Sequence, residues 1–211
     1  MTPDGRSIAF LGPHGYVYVV DLSSKEIVST VKMNSRVRDV AFLNRGSTND
    51  DVMLTHGDDG FVYVWDYRRT ASCLHKFVDD GCISGTSVTA SPDSRYIACG
   101  STSGILNIYD ADEALRQSTP KPRKTLQNLV TTIRDVEFNR TNELMAFATG
   151  EMMNGVRICH VPTMNVFSNF PAVGAIAKPR SIAFSPFSGY FAVADSKDIV
   201  NLFRLNHYEN F

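Results

Sequence analysis

The residues most able to do chemistry in this chain do not assemble into a reactive set. Gly100-Ser101-Thr102-Ser103-Gly104 has the outline of a nucleophile elbow, but that motif needs serine at its centre, where Thr102 stands. It also falls at a hairpin between two alternating runs rather than at a strand-to-helix turn, so it reads as a repeat turn. Five histidines (His14, His56, His75, His160, His207) fall at unrelated positions, and their spacing points to no metal cluster and no triad. The acidic pairs Asp50-Asp51, Asp58-Asp59 and Asp79-Asp80 lie between hydrophobic runs and are expected in solvated turns. Acid–base catalysis needs carboxylates in distinct, partly buried environments. Four cysteines (Cys73, Cys82, Cys99, Cys159) contain no C-x-x-C pair and are expected as buried free thiols. The sequence therefore predicts no enzyme, no cofactor, no metal and no small-molecule substrate.

Binding has more support. From Ala114 to Arg134 there are five positive residues (Arg116, Lys121, Arg123, Lys124, Arg134) and no acid. Its middle, Thr119-Pro120-Lys121-Pro122-Arg123-Lys124, is expected in a long, exposed excursion, because proline cannot donate to a strand ladder. Arg36, Arg38, Arg134 and Arg180 recur near the starts of similar hydrophobic runs, which would set them around one rim. Arginine suits phosphate and carboxylate recognition through paired donors. The candidate partner or RNA contacts are thus Arg36, Arg38, Lys121, Arg123, Lys124, Arg134 and Arg180. An ordinary charged surface, with Arg38–Asp39 and Arg134–Asp135 partly neutralising one another, is the competing reading.

The elements that would carry these residues repeat. Tyr16–Asp21 (YVYVVD), Phe61–Asp66 (FVYVWD) and Ile105–Asp110 (ILNIYD) alternate and close on an acid, with weaker copies at Val156–His160 and Val200–Arg204. Their closing positions are 45, 44, 50 and 44 residues apart. A second series, Val37–Phe42, Ser87–Ala90, Ile133–Phe138 and Arg180–Phe184, steps by 48, 48 and 46. Period-2 alternation in Val, Ile, Tyr and Phe marks half-buried strands. The pattern predicts four strands per unit: a (Val37–Phe42), b (such as Val52–Thr55), c (such as Phe61–Asp66) and d. The d-strands fall at Glu26–Lys32, Cys73–Phe77 and Val166–Phe170. Asp59-Gly60 and Ser103-Gly104 make the tight b–c turns. One turn of helix is expected around Ala111–Leu115.

Four antiparallel strands per ~40–45 residues, with Trp65-Asp66 ending one c-strand, read as an all-β, WD-repeat β-propeller. The units run over about 1–33, 34–80, 81–129, 130–177 and 178–211. No Gly-His pair opens any unit, so the usual His–Ser/Thr–Asp–Trp network is not expected in full. The first unit lacks an a-strand and the last a d-strand, so four to five blades of a seven-bladed ring are expected. About 90 residues or more of propeller would precede Met1, since seven blades at this repeat need roughly 300 residues. A closed five-bladed ring is the alternative, and it leaves unpaired strand edges.

Composition sets the outer bounds. The 211 residues carry a net charge of −1, with 43% hydrophobic and 20% charged residues. A sequence-independent nucleic-acid binder would be strongly basic, so RNA contact would have to come from a local patch. No stretch approaches the ~18 apolar residues of a membrane span, and no membrane partner is expected. The chain opens without a charged or apolar leader pattern, so the Asn139-Arg140-Thr141 sequon is expected to be incidental.

Several stretches go beyond a generic repeat: CLHKFVDDG (73–81), KPRKTLQNLVT (121–131), VFSNFP (166–171), SGYFA (188–192) and RLNHYENF (204–211). These resemble the U3 small nucleolar RNA-associated protein 18 family, from the second repeat onward. Members of that family carry more propeller and an N-terminal extension that these residues do not match. The resemblance implies a nuclear, nucleolar, non-enzymatic scaffold of the UtpB assembly in the small-subunit processome, acting in pre-18S rRNA processing. Its implied partners are other WD-repeat subunits, with pre-rRNA and U3 snoRNA nearby. The same scaffold would also serve a substrate-receptor or signalling assembly.

Overall fold

Alternating apolar residues pair into five antiparallel sheets in the computed structural model, which describes residues 1–44, 52–68, 73–172 and 174–208. The acidic pair Asp50-Asp51 and the last three residues of the 204–211 motif lie outside the described residues. The first sheet holds β1 (Ser7–Leu11), β2 (Tyr16–Asp21) and β3 (Ile27–Lys32). The second orders β4 (Val37–Leu43), β5 (Val52–Gly57), β6 (Phe61–Trp65) and β7 (Cys73–Val78). The third comprises β8 (Gly85–Ala90), β9 (Tyr96–Ser101), β10 (Leu106–Asp110) and β11 (Lys124–Leu126). The fourth has β12 (Asp135–Phe138), β13 (Leu144–Ala148), β14 (Val156–His160) and β15 (Asn165–Val166). The fifth has β16 (Pro179–Phe184), β17 (Tyr190–Asp195) and β18 (Val200–Arg204). Each sheet is a meander of sequential neighbours, the blade pattern of a propeller.

The strands β4, β8, β12 and β16 contact one another in sequence and form the inner wall. Between successive sheets lie four apolar layers. In the first, Val17, Val19 and Val31 meet Met53, Tyr63 and Trp65. Leu54, Val64 and Phe77 then meet Ile97, Cys99 and Tyr109. Leu106 and Ile108 pack with Val136, Met145 and Phe147, and Ala146 and Ile158 with Ile182, Phe191 and Val193. Each fully buried side chain of this kind stabilises the fold by about 1.5–3 kcal/mol, so sheet-on-sheet stacking is the main cohesive force.

A recurring device starts the b-strands of the third, fourth and fifth sheets. Ser91 Oγ accepts from the Tyr96 amide, Asn139 Oδ1 from the Leu144 amide and Ser185 Oγ from the Tyr190 amide. A left-handed residue sits inside each of these turns: Ser94, Asn142 and Ser188, with φ of 59°, 60° and 59°. Asn139 is fully buried, with its Nδ2 donating to Thr141 Oγ1 and Tyr208 Oη. The sequon asparagine is therefore a turn residue.

One sequence expectation changes. The d-strand predicted at Val166–Phe170 pairs only at Asn165–Val166. Phe170 instead turns its ring onto Phe191 and Phe203, 6.0 and 5.1 Å between centroids, and Pro171 has no amide to continue a ladder. The ring is open: among the described residues no strand joins the first sheet to the fifth. Their outward faces carry exposed apolar side chains, including Phe10, Ile27 and Val28 at one end and Val200 and Leu202 at the other.

α1 (Ala111–Ala114) forms where one helical turn is expected, its N-terminus capped by the Asp110 carboxylate, which accepts from the amides of Asp112 and Glu113.

Candidate functional site

The rim arginines owe their placement to a repeated irregularity of the inner strands. The pairing of β4 with β5 slips between Val37 and Asp39, that of β8 with β9 between Gly85 and Ser87, and that of β16 with β17 between Pro179 and Ser181. The residue skipped in each case is Arg38, Thr86 or Arg180. Arg134 immediately precedes β12 at the equivalent step, with its amide bonded to the Ala148 carbonyl. A bulge re-aims the extra residue away from the ladder. In three of the sheets one position is thereby displaced from the ladder, at the end that also carries the b–c turns.

Arg36, Arg38, Arg134 and Arg180 are all exposed. Arg38 Nε lies 2.5 Å from Asp58 Oδ1 in the adjoining b–c turn. Among the described residues, Arg36, Arg134 and Arg180 have no ion-pair partner. The residues after the bulge look inward to the next sheet. Asp39 accepts from the amides of Val40 (2.8 Å) and Val88 (2.9 Å). Asp135 accepts from the Ile182 amide at 3.0 Å, and Glu137 from the Phe184 amide at 3.2 Å. The expected neutralisation of Arg38 by Asp39 and of Arg134 by Asp135 is thus corrected: these carboxylates tie one inner strand to another.

That location shifts their acidity. Burial pushes Asp39 up to about 6, partly offset by its two amide donors, with the neighbouring Asp135 charge adding a little. Burial pushes Glu137 up to about 7, again with Asp135 as a lesser contributor.

The second basic group does not join the rim as one patch. The excursion after α1 packs along the outer edge of β7: the Val78 amide donates to the Ser118 carbonyl at 2.9 Å, and the His75 ring bonds the Gln117 carbonyl. Pro120 is buried there. Lys121 remains exposed beside Val78 and Asp80. Arg123 lays its guanidinium over the Tyr96 ring, 5.6 Å from the centroid. Lys124 opens β11 rather than lying in a loop. The excursion is therefore partly a strap over a sheet edge, a role that its prolines and lack of acids did not reveal.

A third cluster escaped the sequence altogether. Asp79, expected in a solvated turn, is fully buried. Its Oδ1 accepts from Tyr109 Oη at 2.7 Å and from Asn107 Nδ2 at 2.8 Å. His56 and Cys82 converge on the same point, so the expectation of no clustered metal-ligand types is corrected: the donor atoms of His56, Asp79 and Cys82 lie within 4.8 Å of one another. The signal available in sequence was Asp79-Asp80-Gly81-Cys82, whose glycine permits the turn; His56 lies too far upstream to be joined to it by spacing. Of the cysteines, Cys99 and Cys159 are buried, Cys82 is half-buried and Cys73 exposed.

Comparison with known proteins supports the blade assignment and extends it. The family model "WD domain, G-beta repeat" matches residues 71–110. Across its whole length the chain is 38% identical to the Homo sapiens "U3 small nucleolar RNA-associated protein 18 homolog", covering 37% of that protein. It is 37% identical to the Mus musculus homolog, covering 38% of it. With the Saccharomyces cerevisiae protein of that name it shares 28% identity over 93% of this chain and 36% of the relative. The chain thus spans little more than a third of the length of these relatives. A chain in the "Crystal Structure of Mitotic Checkpoint Complex" superposes with a TM-score of 0.77 at 19% identity, covering 97% of this chain and 61% of that one. At that identity the match speaks for the fold alone.

Proposed function

Because the chain is homologous from end to end to the U3 small nucleolar RNA-associated protein 18 family, we propose that it is a non-enzymatic docking scaffold of the small-subunit processome. In that role it supports pre-18S rRNA processing in the nucleolus, seated among other WD-repeat subunits of UtpB with pre-rRNA and U3 snoRNA close by. The observation that carries this reading is similarity over the whole chain, at 37–39% identity to three of these relatives. The physical chemistry agrees: stacked sheets hold their loops rigidly, and rigid loops on two rims give several docking faces at low ordering cost.

The rim arginines supply the first contact to assign. Arg134 and Arg180, exposed and outward-turned, suit phosphate or an acidic segment; Arg38 is already engaged by Asp58. Lys121, Arg123 and Lys124 form a separate contact on the strap. The uncovered apolar faces of the first and fifth sheets are where further blades would stack.

Depletion of the protein tests the reading. Unprocessed pre-18S precursor should accumulate while maturation of the large-subunit RNAs continues. Normal 18S production after complete depletion would reject it.

A further inference from the structure

The cluster buried between the second and third sheets has the donors of a metal site. His56 is the penultimate residue of β5, with its ring fully buried. Its Nδ1 lies 3.1 Å from the Ser87 carbonyl oxygen. A carbonyl only accepts, so that bond requires the proton on Nδ1, and in the neutral ring Nε2 then carries the free lone pair. This arrangement, one ring nitrogen donating to backbone and the other free, is the one that orients metal-binding histidines. Gly85 fixes the ring from its face: a Cβ there would fall 2.1 Å from Nε2 and 2.3 Å from each neighbouring ring carbon.

Facing Nε2 are two further electron-pair donors. Asp79 Oδ2 is 3.8 Å away and Cys82 Sγ 4.0 Å away. Asp79 is fully buried, and while its Oδ1 takes two hydrogen bonds, Oδ2 meets no nitrogen or oxygen donor, and the Cys82 thiol is the one weak donor beside the carboxylate. The turn that presents both side chains closes through the Cys82 amide donating to the Asp79 carbonyl, with Gly81 at a φ of 68°. An orphaned buried carboxylate oxygen costs several kcal/mol unless something positive meets it. At 3.8 Å the imidazole is too far to do so by a hydrogen bond.

We propose that His56 Nε2, Asp79 Oδ2 and Cys82 Sγ bind one zinc ion, or a borderline-soft divalent ion like it, locking the d–a turn of the second sheet to its b-strand. Tetrahedral zinc with bonds of about 2.0–2.3 Å sets its ligand atoms roughly 3.3–3.8 Å apart. The observed spacing needs a contraction of a few tenths of an ångström to about 1 Å, which a half-buried Cys82 at the end of a turn can supply. One nitrogen, one carboxylate oxygen and one sulfur suit zinc better than magnesium or calcium, which prefer oxygen alone. Binding exchanges the Cys82 proton for the metal and releases it to solvent; nothing is oxidised or reduced. Asn107 and Tyr109 hold Asp79 from behind, and the fourth position opens on the Cys82 side.

Full-length protein, stripped with a chelator and titrated with zinc alone, should bind one equivalent more than its Cys82→Ser variant. With cobalt(II) as the probe, the wild type should develop visible ligand-field bands and a near-ultraviolet sulfur-to-cobalt band. The sulfur band should vanish in Cys82→Ser and persist in the exposed-thiol control Cys73→Ser. Chelation should lower the thermal midpoint of the wild type and leave that of Cys82→Ser unchanged. Equal zinc stoichiometry in wild type and Cys82→Ser would overturn the proposal. Should Cys82→Ser not fold, the absence of a sulfur-to-cobalt band in the wild type would overturn it as well.

Discussion

The second and third sheets solve one problem in two ways. In the second, Trp65 Nε1 donates to Thr55 Oγ1 at 2.8 Å within its own sheet, and the indole stacks on Tyr63, whose hydroxyl reaches Asp59. In the third, Tyr109 sits at the corresponding c-strand position but donates out of its sheet, to Asp79 in the turn before β8. One anchor is neutral and local; the other is a buried carboxylate that joins two sheets. The difference teaches that the Trp-Asp signature is not what holds the blades together. Any c-strand aromatic with a satisfied polar edge will serve, and where the partner comes from the neighbouring connection, the same bond also fixes how the sheets are joined.

Breaking each anchor sharpens that contrast. Trp65→Ala removes a buried aromatic from the layer between the first and second sheets and should cost about 3–5 kcal/mol in urea unfolding. Tyr109→Phe keeps the ring but withdraws a donor from a buried carboxylate, and should cost about 1.5–3 kcal/mol. Thr55→Val, which removes only the neutral acceptor of the indole, should cost about 1 kcal/mol. A Thr55→Val loss as large as that of Tyr109→Phe would contradict the distinction between hydroxyl and carboxylate anchors. The smallest effect concerns the inner strands. Asp39 and Glu137 have acidities raised to about 6 and about 7 by burial. Their folded forms therefore hold protons more tightly than the unfolded chain. The resulting stabilisation is complete below about pH 4, the ordinary carboxylate range, and is lost as pH rises through 6 to 7. Glu137→Gln should flatten the fall in stability between pH 5 and pH 8, measured by denaturant midpoint against the wild type.

The blades were legible because sheet-on-sheet burial imposes a period of two within strands, and blade repetition imposes one near 46 between them. Both survive the loss of every signature dipeptide except Trp65-Asp66. The rim was half legible: the recurrence of Arg38, Arg134 and Arg180 marked a shared position, but the bulge that turns Arg38 and Arg180 outward leaves no mark in residue type. Asp39 and Asp135 were misread because sequence adjacency suggests pairing, whereas successive strand residues face opposite ways. The buried cluster was illegible, since His56 and Cys82 meet only once β5 and the turn after β7 are brought together by pairing through β6.

Gradient sedimentation of the native protein tests the central claim, that these stacked sheets act as a docking scaffold inside a pre-ribosomal particle. The account predicts that the protein travels with the large, U3-containing particles, and that combined Arg134→Ala and Arg180→Ala changes shift part of it to light fractions as salt is raised. Recovery of the wild-type protein solely in light fractions, with those particles intact, would contradict it.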